Sequence, residues 1–443
     1  MSSTARPART VLISGASVAG PALALRLHRH GFTPTVVERA PELRTGGYKV
    51  DIRGTAIEVC RRMGILDEIR AHSTDMRGGS YVDSAGRTIG ELPADVFGGR
   101  VEEDDEIMRG ELARILYERT RDDVEYLFGD SVAALAEDAD GVTVTFESGT
   151  VRRFDLVVGA DGLHSNTRRL VFGPEERFKR HLGAYISIFT APNHLGLDRW
   201  ETYHALPGKL VCVYSSAGES GRTPAPRGSD AGGAGGAGGA GGAGGAGGAA
   251  DAKNLFVFSA PEQPHLRDTA AQKRLLAEAF AGDGWEIPRL LGHAADADDF
   301  YLDSISLVEM DRWSKGRVVL LGDAAHCASL ASGQGTGLAL TGAYVLAAEL
   351  ARADGDHTVA FARYEAHMRP GVEQNQRMAE GFVKEMTVGS RWRIRLRMLM
   401  VRTLPRTPWK NLVARKIRDG IQAAANAVPL PDEAPAPRST VSP

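Results

Sequence analysis

The amino-acid sequence predicts an α/β fold in which several parallel strands end at one crevice. Three phrases, far apart in the chain, carry that expectation: Gly15-Ala-Ser-Val-Ala-Gly20, Gly159-Ala-Asp161-Gly162 and Gly322-Asp323-Ala-Ala-His326. Each follows a run of apolar, largely β-branched residues, and so sits where a buried strand stops. A crevice assembled from the ends of several strands is where a doubly wound sheet holds a dinucleotide.

The first phrase is readable on its own. Thr10-Val-Leu-Ile-Ser14 is long enough for one buried parallel strand. Gly15 permits a tight turn, and Gly20 lets the helix expected from Pro21 to His30 lie close to the strand. Proline is tolerated in that first turn because its missing N–H would have no partner there. Pro34-Thr-Val-Val-Glu38 reads as the second strand. Glu38 follows Gly15 at about the 20-residue spacing of an acid that binds ribose hydroxyls. Arg39 beside it is a further candidate contact. The helix N-terminus offers N–H groups and partial positive charge to a pyrophosphate. Ser17 stands where G-x-G-x-x-G has its middle glycine, a small residue whose hydroxyl can donate a hydrogen bond. Met1 to Arg9 carries two arginines before an apolar stretch, a pattern shared with signal peptides. Strand, turn and helix account for Gly15, Gly20 and Glu38 together; a signal peptide accounts for none of them.

Composition sets the outer bounds. The chain has 443 residues, 43% hydrophobic and 25% charged, with a net charge of −3. That suits two interleaved domains with an appendage. Near-neutral charge gives no global pull toward nucleic acid or membrane, and neither is expected as a partner. Cys60, Cys212 and Cys327 are scattered and lack metal-ligand spacing, so no metal site is expected. They read as reduced thiols of a cytoplasmic protein. No apolar stretch approaches the length of a membrane span.

The second phrase closes the strand Phe154-Asp-Leu-Val-Val-Gly159; alone it could be an ordinary strand-end turn. The third is richer. Arg317-Val-Val-Leu-Leu-Gly322 forms a strand, and Gly333-Gln-Gly335-Thr336-Gly337 precedes a helix expected from Leu338 to Arg352. Backbone without side chains can lie against a flat ring, which gives such glycines a purpose.

In this order the three phrases resemble the FAD-dependent aromatic-hydroxylase family. These are single-component class A flavoprotein monooxygenases with the para-hydroxybenzoate hydroxylase fold, and the chain looks close to their tetracycline-inactivating type. Arg44-Thr-Gly-Gly-Tyr-Lys-Val-Asp51-Ile-Arg53 and Met108-Arg109-Gly-Glu-Leu112 add two shorter matches. The resemblance implies that Asp323 binds the ribityl chain of FAD and that Arg109 lies beside it. It implies that the helix beginning at Gly335 and Thr336 points at the flavin pyrimidine ring, and that Arg44 contacts the cofactor. Asp161 would sit by the pyrophosphate region, and Asp51 near the reactive side of the flavin, the one candidate for a catalytic residue.

The family also implies the domain plan. Residues 1–75, 102–178 and 296–375 would form a Rossmann-like FAD-binding domain. Residues 76–101 and 179–295 would form a smaller antiparallel-sheet substrate domain. Its strands carry Tyr185, Tyr203, His204 and Tyr214, each as apt to face the substrate cavity as to pack elsewhere. An Ala/Gly-rich insert at 231–249 should behave as a flexible loop. A C-terminal helix would span 376–428, and 429–443 would be a disordered tail. The basic run Arg391 to Arg402 is compatible with a membrane-surface helix. A brace across both domains is favoured, because arginine stems cover apolar surface well.

The activity implied is reduction of FAD by NADH or NADPH, then reaction with O2 to a C4a-hydroperoxide. That species would hydroxylate an aromatic or polycyclic, natural-product-like small molecule. One departure bears on it: relatives carry prolines before the G-Q-G stretch, whereas here the segment reads Cys327-Ala-Ser-Leu-Ala-Ser332. Proline narrows the unfolded ensemble and fixes φ, so a looser loop is expected. Baeyer–Villiger insertion, epoxidation and dehydrogenation therefore stay open, as does a flavin-binding protein without turnover. Halogenation is disfavoured, because Asp283 stands where the W-x-W-x-I-P signature has its first tryptophan. Substrate, oligomeric state and the choice of NADH or NADPH are left open.

Overall fold

The computed structural model describes residues 9–44, 46–94, 100–216, 251–263, 266, 268–404, 407–408 and 410–432. The insert at 231–249 and residues 433–443 of the tail lie outside the described residues.

Two large sheets organise the chain. The first has six strands in the order Ser314–Lys315, Val318–Leu320, Leu156–Gly159, Thr10–Ser14, Thr33–Glu38 and Glu125–Phe128. All its pairings are parallel except the short Ser314–Lys315 edge. Its central strands are buried on both faces, which is why they read as unbroken apolar runs. Val11, Ile13, Val36 and Val158 face a core shared with the Ala19–Arg29 and Gly335–Arg352 helices. Leu12, Val37, Val157 and Val318 face a three-stranded sheet, Val132–Glu137, Val142–Phe146 and Val151–Phe154. The first phrase forms the strand and helix expected of it, with the helix starting two residues earlier.

The second sheet has seven strands in the order Tyr301–Val308, Lys179–Pro192, Asp251–Ser259, Lys209–Ser215, Trp200–Leu206, Gly78–Val82 and Thr88–Pro93. It is antiparallel apart from the Trp200–Leu206 and Gly78–Val82 pair. Its outer face packs Phe189, Phe256 and Phe258 beside apolar residues of the Thr269–Ala279 and Ile287–Asp296 helices. Its inner face packs Ile186, Leu210, Val257 and Ile305 with Tyr48, Leu330 and Val383. A two-stranded ribbon, Lys49–Ile52 with Asp105–Met108, contributes to the site described below.

The C-terminal segment differs from the single helix expected. It comprises His357–Met386, Arg391–Thr403 and Lys410–Ala425. The first break has a local cause: Ser390 accepts a hydrogen bond from Arg393 N and starts a new helix after Gly389. Ile394 and Met398 of the second helix pack with Tyr81 and Ile89 of the seven-stranded sheet. Among the described residues, no helix is long and apolar enough to cross a membrane.

Candidate active site

The three glycine phrases meet. Gly15 adopts φ +114° and donates its N–H to Val37 O at 2.7 Å. A Cβ there would stand 2.4 Å from Ala160 O, so the first and second phrases touch only because position 15 has no side chain. A Cβ on Gly20 would stand 1.9 Å from Gly15 O, which is how closely the helix lies over the turn. The third phrase joins them, since a Cβ on Gly322 would come within 3.4 Å of Ala19 Cβ. A Cβ on Gly335 would be 3.9 Å from Asp323 Oδ1. Two helix starts and one carboxylate thus border a common cleft. Neither helix has a side-chain N-cap. Their first-turn N–H groups have no intrahelical acceptor and carry the positive end of the helix dipole.

Charged and polar groups line this cleft. Glu38 is buried, accepting from Ala16 N at 2.9 Å and from Ala40 N at 3.0 Å. It thereby shapes the glycine turn. Arg44 approaches Glu38 to 3.9 Å from an exposed position, and Arg39 is exposed. Arg109 starts the Arg109–Glu118 helix and donates from Nη2 to Ser17 Oγ at 2.8 Å. The serine at the altered glycine position thus serves as an acceptor. Asp323 opens to the cleft, yet the protein packed around it raises its carboxyl pKa, with Arg109 pulling the other way. Burial likewise pushes the Tyr48 phenol up to about 12, against the pull of Arg109. Thr336 is half-buried in the first turn of the Gly335–Arg352 helix.

Asp161 is differently engaged. It accepts from Thr167 N and Thr167 Oγ1, both at 2.8 Å, and from Ser165 Oγ. Its carboxylate ties the turn to the Asn166–Phe172 helix, so it shapes the loop from behind.

Beside the cleft lies a cavity of about 300 Å³ under the inner face of the seven-stranded sheet. Ile186, Leu255, Val257, Leu330 and Phe382 give it apolar walls, and Asp51 is among its polar lining residues. Asp51 Oδ1 lies 2.9 Å from Arg53 and 3.6 Å from Arg100. A Cβ on Gly333 would stand 3.7 Å from Asp51 Oδ2, so the acid borders the loop that precedes the Gly335 helix.

Of the four aromatic and polar candidates on the sheet, two are corrected. Tyr185 packs into the outer core against Phe258 and accepts a hydrogen bond from Gln263 N at 2.7 Å. His204 is buried, its Nδ1 3.1 Å from Val82 O and its ring 5.3 Å from that of Trp285. Strand alternation puts both on the face away from the cavity. Tyr203 and Tyr214 are on the inner side, with Cys212 and Leu255.

Sequence reasoning missed the charged network behind Asp51. Lys49 pairs with Glu201 and, at 3.2 Å, with Glu106; Arg100 pairs with Glu106; Tyr203 donates to Glu201. Burial alone would lower the Lys49 pKa, but Glu106 and Glu201 overturn that and hold it raised. The alternation Lys49-Val-Asp51-Ile-Arg53 was a usable signal, since it sets three charges on one face of a strand.

The loop lacking prolines is held another way. Ser329 N donates to Cys327 Sγ at 3.4 Å, and Ser329 Oγ accepts from Ala331 N at 3.2 Å. Ser332 Oγ donates to Ser329 O at 2.9 Å and accepts from Gln334 N at 3.1 Å. The looseness expected from the absent rings is offset by serine hydroxyls.

Comparison with known proteins agrees with this geometry. Residues 8–191 and 304–378 match the model of a family described as FAD binding domain. The uncharacterized protein Rv1260 of Mycobacterium tuberculosis (strain ATCC 25618 / H37Rv) is 44% identical over 371 residues, 83% of this chain and 92% of its own. A flavin-dependent monooxygenase of Legionella longbeachae serogroup 1 (strain NSW150) is 39% identical over 368 residues, covering 83% and 87%. The crystal structure of tetracycline destructase Tet(55) superposes with a TM-score of 0.77 at 36% identity, over 97% of this chain and 99% of that one. The chain belongs to the FAD-dependent aromatic-hydroxylase family and is a flavin-dependent monooxygenase.

Proposed function

We propose that this protein uses NADH or NADPH to hydroxylate an aromatic or polycyclic small molecule in the cytoplasm. The observation that carries the reading is the cleft itself: two helix starts without side-chain caps, Asp323 between them, and an apolar cavity alongside. These groups fit FAD. First-turn N–H groups of the Ala19 helix suit its pyrophosphate, Asp323 its ribityl hydroxyls, and the Gly335–Gly337 backbone its pyrimidine edge. Arg109, Ser17, Glu38 and Arg44 would complete the dinucleotide site. Bound FAD supplies the redox chemistry and the activation of O2.

The protein's own residues then position and exclude. The apolar walls keep water from the reacting centre. Asp51 Oδ2 would accept a hydrogen bond from a substrate hydroxyl, with Arg53 and Arg100 fixing the carboxylate. A polycyclic substrate is supported by the 36% identity to tetracycline destructase Tet(55). The buried, unpaired cysteines fit a reducing compartment.

Anaerobic mixing of the FAD-loaded protein with NADH or NADPH tests the donor, read as loss of flavin absorbance. Oxygen and a panel of phenolic polycycles then test the transfer. A product one oxygen atom heavier is expected. Flavin that neither nicotinamide reduces, or turnover that yields only dehydrogenated product, refutes the proposal.

A further inference from the structure

The Arg391–Thr403 helix has two opposite apolar faces. Ile394 and Met398, four residues apart, are buried against the seven-stranded sheet. Trp392, Leu396, Leu399 and Met400 recur at the spacing of one helical face and are 69%, 42%, 54% and 56% exposed. That stripe runs for about 12 Å along the helix. Arg393 flanks it on one side, and Arg391, Arg395 and Arg402 on the other; all four are exposed. The helix carries five arginines and no acidic residue. Most of the exposed large apolar side chains among the described residues lie in this C-terminal region, with Leu412 and Ile417 on the following helix. A contiguous apolar stripe on one helix face marks an interaction site, where scattered residues would not.

We infer that this helix lies on an anionic lipid surface, its apolar stripe in the acyl boundary and its arginines at the headgroups. Charge decides the occupant. A second copy of the chain would bring the four exposed arginines against four like charges, and a nucleic acid would leave the apolar stripe unused. An anionic bilayer uses both, with Trp392 at the depth that indole rings favour. The helix is tied to the cavity wall: Arg397 donates to Glu385 O at 2.8 Å, and Arg393 lies 3.5 Å from the Glu385 carboxylate. Glu385 adjoins Met386, which lines the cavity together with Phe382. A membrane bound here would lie close to the cavity wall that Phe382 and Met386 form.

The test is co-sedimentation of the full-length, FAD-loaded protein with phosphatidylcholine vesicles, with and without phosphatidylserine. Binding to the mixed vesicles is expected, weakening as salt rises. Trp392→Ser with Leu399→Ser should weaken it at least tenfold, because each substitution removes an exposed apolar side chain that the bilayer would bury. Arg391→Gln or Arg395→Gln should weaken it roughly fivefold each. Flavin content and NAD(P)H oxidation should be unchanged in all these variants. No binding to phosphatidylserine vesicles at low salt overturns the inference, as does binding that ignores the Trp392 and Leu399 changes. A wild-type dimer that those changes convert to monomer, or equal dependence on them in binding duplex DNA, also overturns it. The readout is vesicle binding, so its failure leaves the flavin reading intact, and the reverse holds.

Discussion

Gly335→Ala separates what the fold needs from what the cofactor needs. A methyl group at position 335 would meet Asp323 Oδ1 at 3.9 Å and no other described atom within 4 Å outside its own helix and chain neighbours. That is ordinary van der Waals contact, so the protein without cofactor should accept it. Alanine also restricts the unfolded chain more than glycine, worth about 0.5–1 kcal/mol within a helix and less at its first turn. Stability should therefore hold or rise. The same methyl group would project beside Asp323, where the proposed flavin site sets backbone against a flat ring. If it displaces one or two N–H hydrogen bonds, each worth about 1–1.5 kcal/mol, FAD binding weakens by between about fivefold and about 150-fold. Quenching of FAD fluorescence on titration gives the dissociation constant, and a thermal melt of the apoprotein gives the stability. An unchanged dissociation constant would refute the placement of the flavin against this helix start. A large loss of apoprotein stability would refute the packing described for Gly335.

Asp323→Asn should stabilise the apoprotein at neutral pH while weakening FAD binding tenfold or more, through loss of a charged acceptor. The sign follows from its raised pKa: the folded state penalises the ionised form, and that penalty grows as pH rises through the folded value. The gain in melting temperature should therefore vanish at acid pH, below the ordinary carboxyl pKa of about 4. Lys49→Met leaves Glu201 without its cation and Glu106 with Arg100 alone, which should cost about 3 kcal/mol in urea unfolding. Adding Glu201→Gln should restore part of that loss. Ser329→Gly relieves a serine held at φ +65°, ψ 149°, so stability should rise by about 1 kcal/mol. Oxygen-transfer coupling, read as product per NAD(P)H consumed, should fall as the loop loses its Ser329 hydroxyl.

The parallel core was legible because its signals are local. Three of its strands are apolar runs that lead into a glycine phrase, and the order of phrases carried the cofactor assignment. The seven-stranded sheet was legible as strands but not as faces. Helices cover its outside and the site covers its inside, so both faces are apolar and alternation gives no polar side. Tyr185 and Ile186 had to face opposite ways, and nothing local said which way was in. The Lys49 network was only half legible: the alternation at 49, 51 and 53 set three charges on one face, but their partners were hidden. Its members at 49, 100, 106 and 201 lie on separate segments, and no spacing along the chain brings them together. The break at 387–390 had a signal in Gly389-Ser390, overridden by reading the basic run as one unit.

The loop between His326 and Gly333 is ordered by serine hydrogen bonds where the family resemblance implied prolines. Proline orders a loop largely through the unfolded chain, by removing conformations before folding begins. The serines here order it through the folded state, by hydrogen bonds that exist only once the loop is closed. The two routes differ in where the stabilisation resides, yet both end at the same atom. Gln334 N is fixed by Ser332 Oγ at 3.1 Å, and Gln334 is the residue from which the next helix starts. The direction of that helix start is what a flavin would read. The serines thus fix the start of that helix, with Ser329 held at positive φ beside a segment that borders the cavity. Cofactor affinity and oxygen-transfer coupling should accordingly respond to different residues: affinity to Gly335 and Asp323, coupling to Ser329.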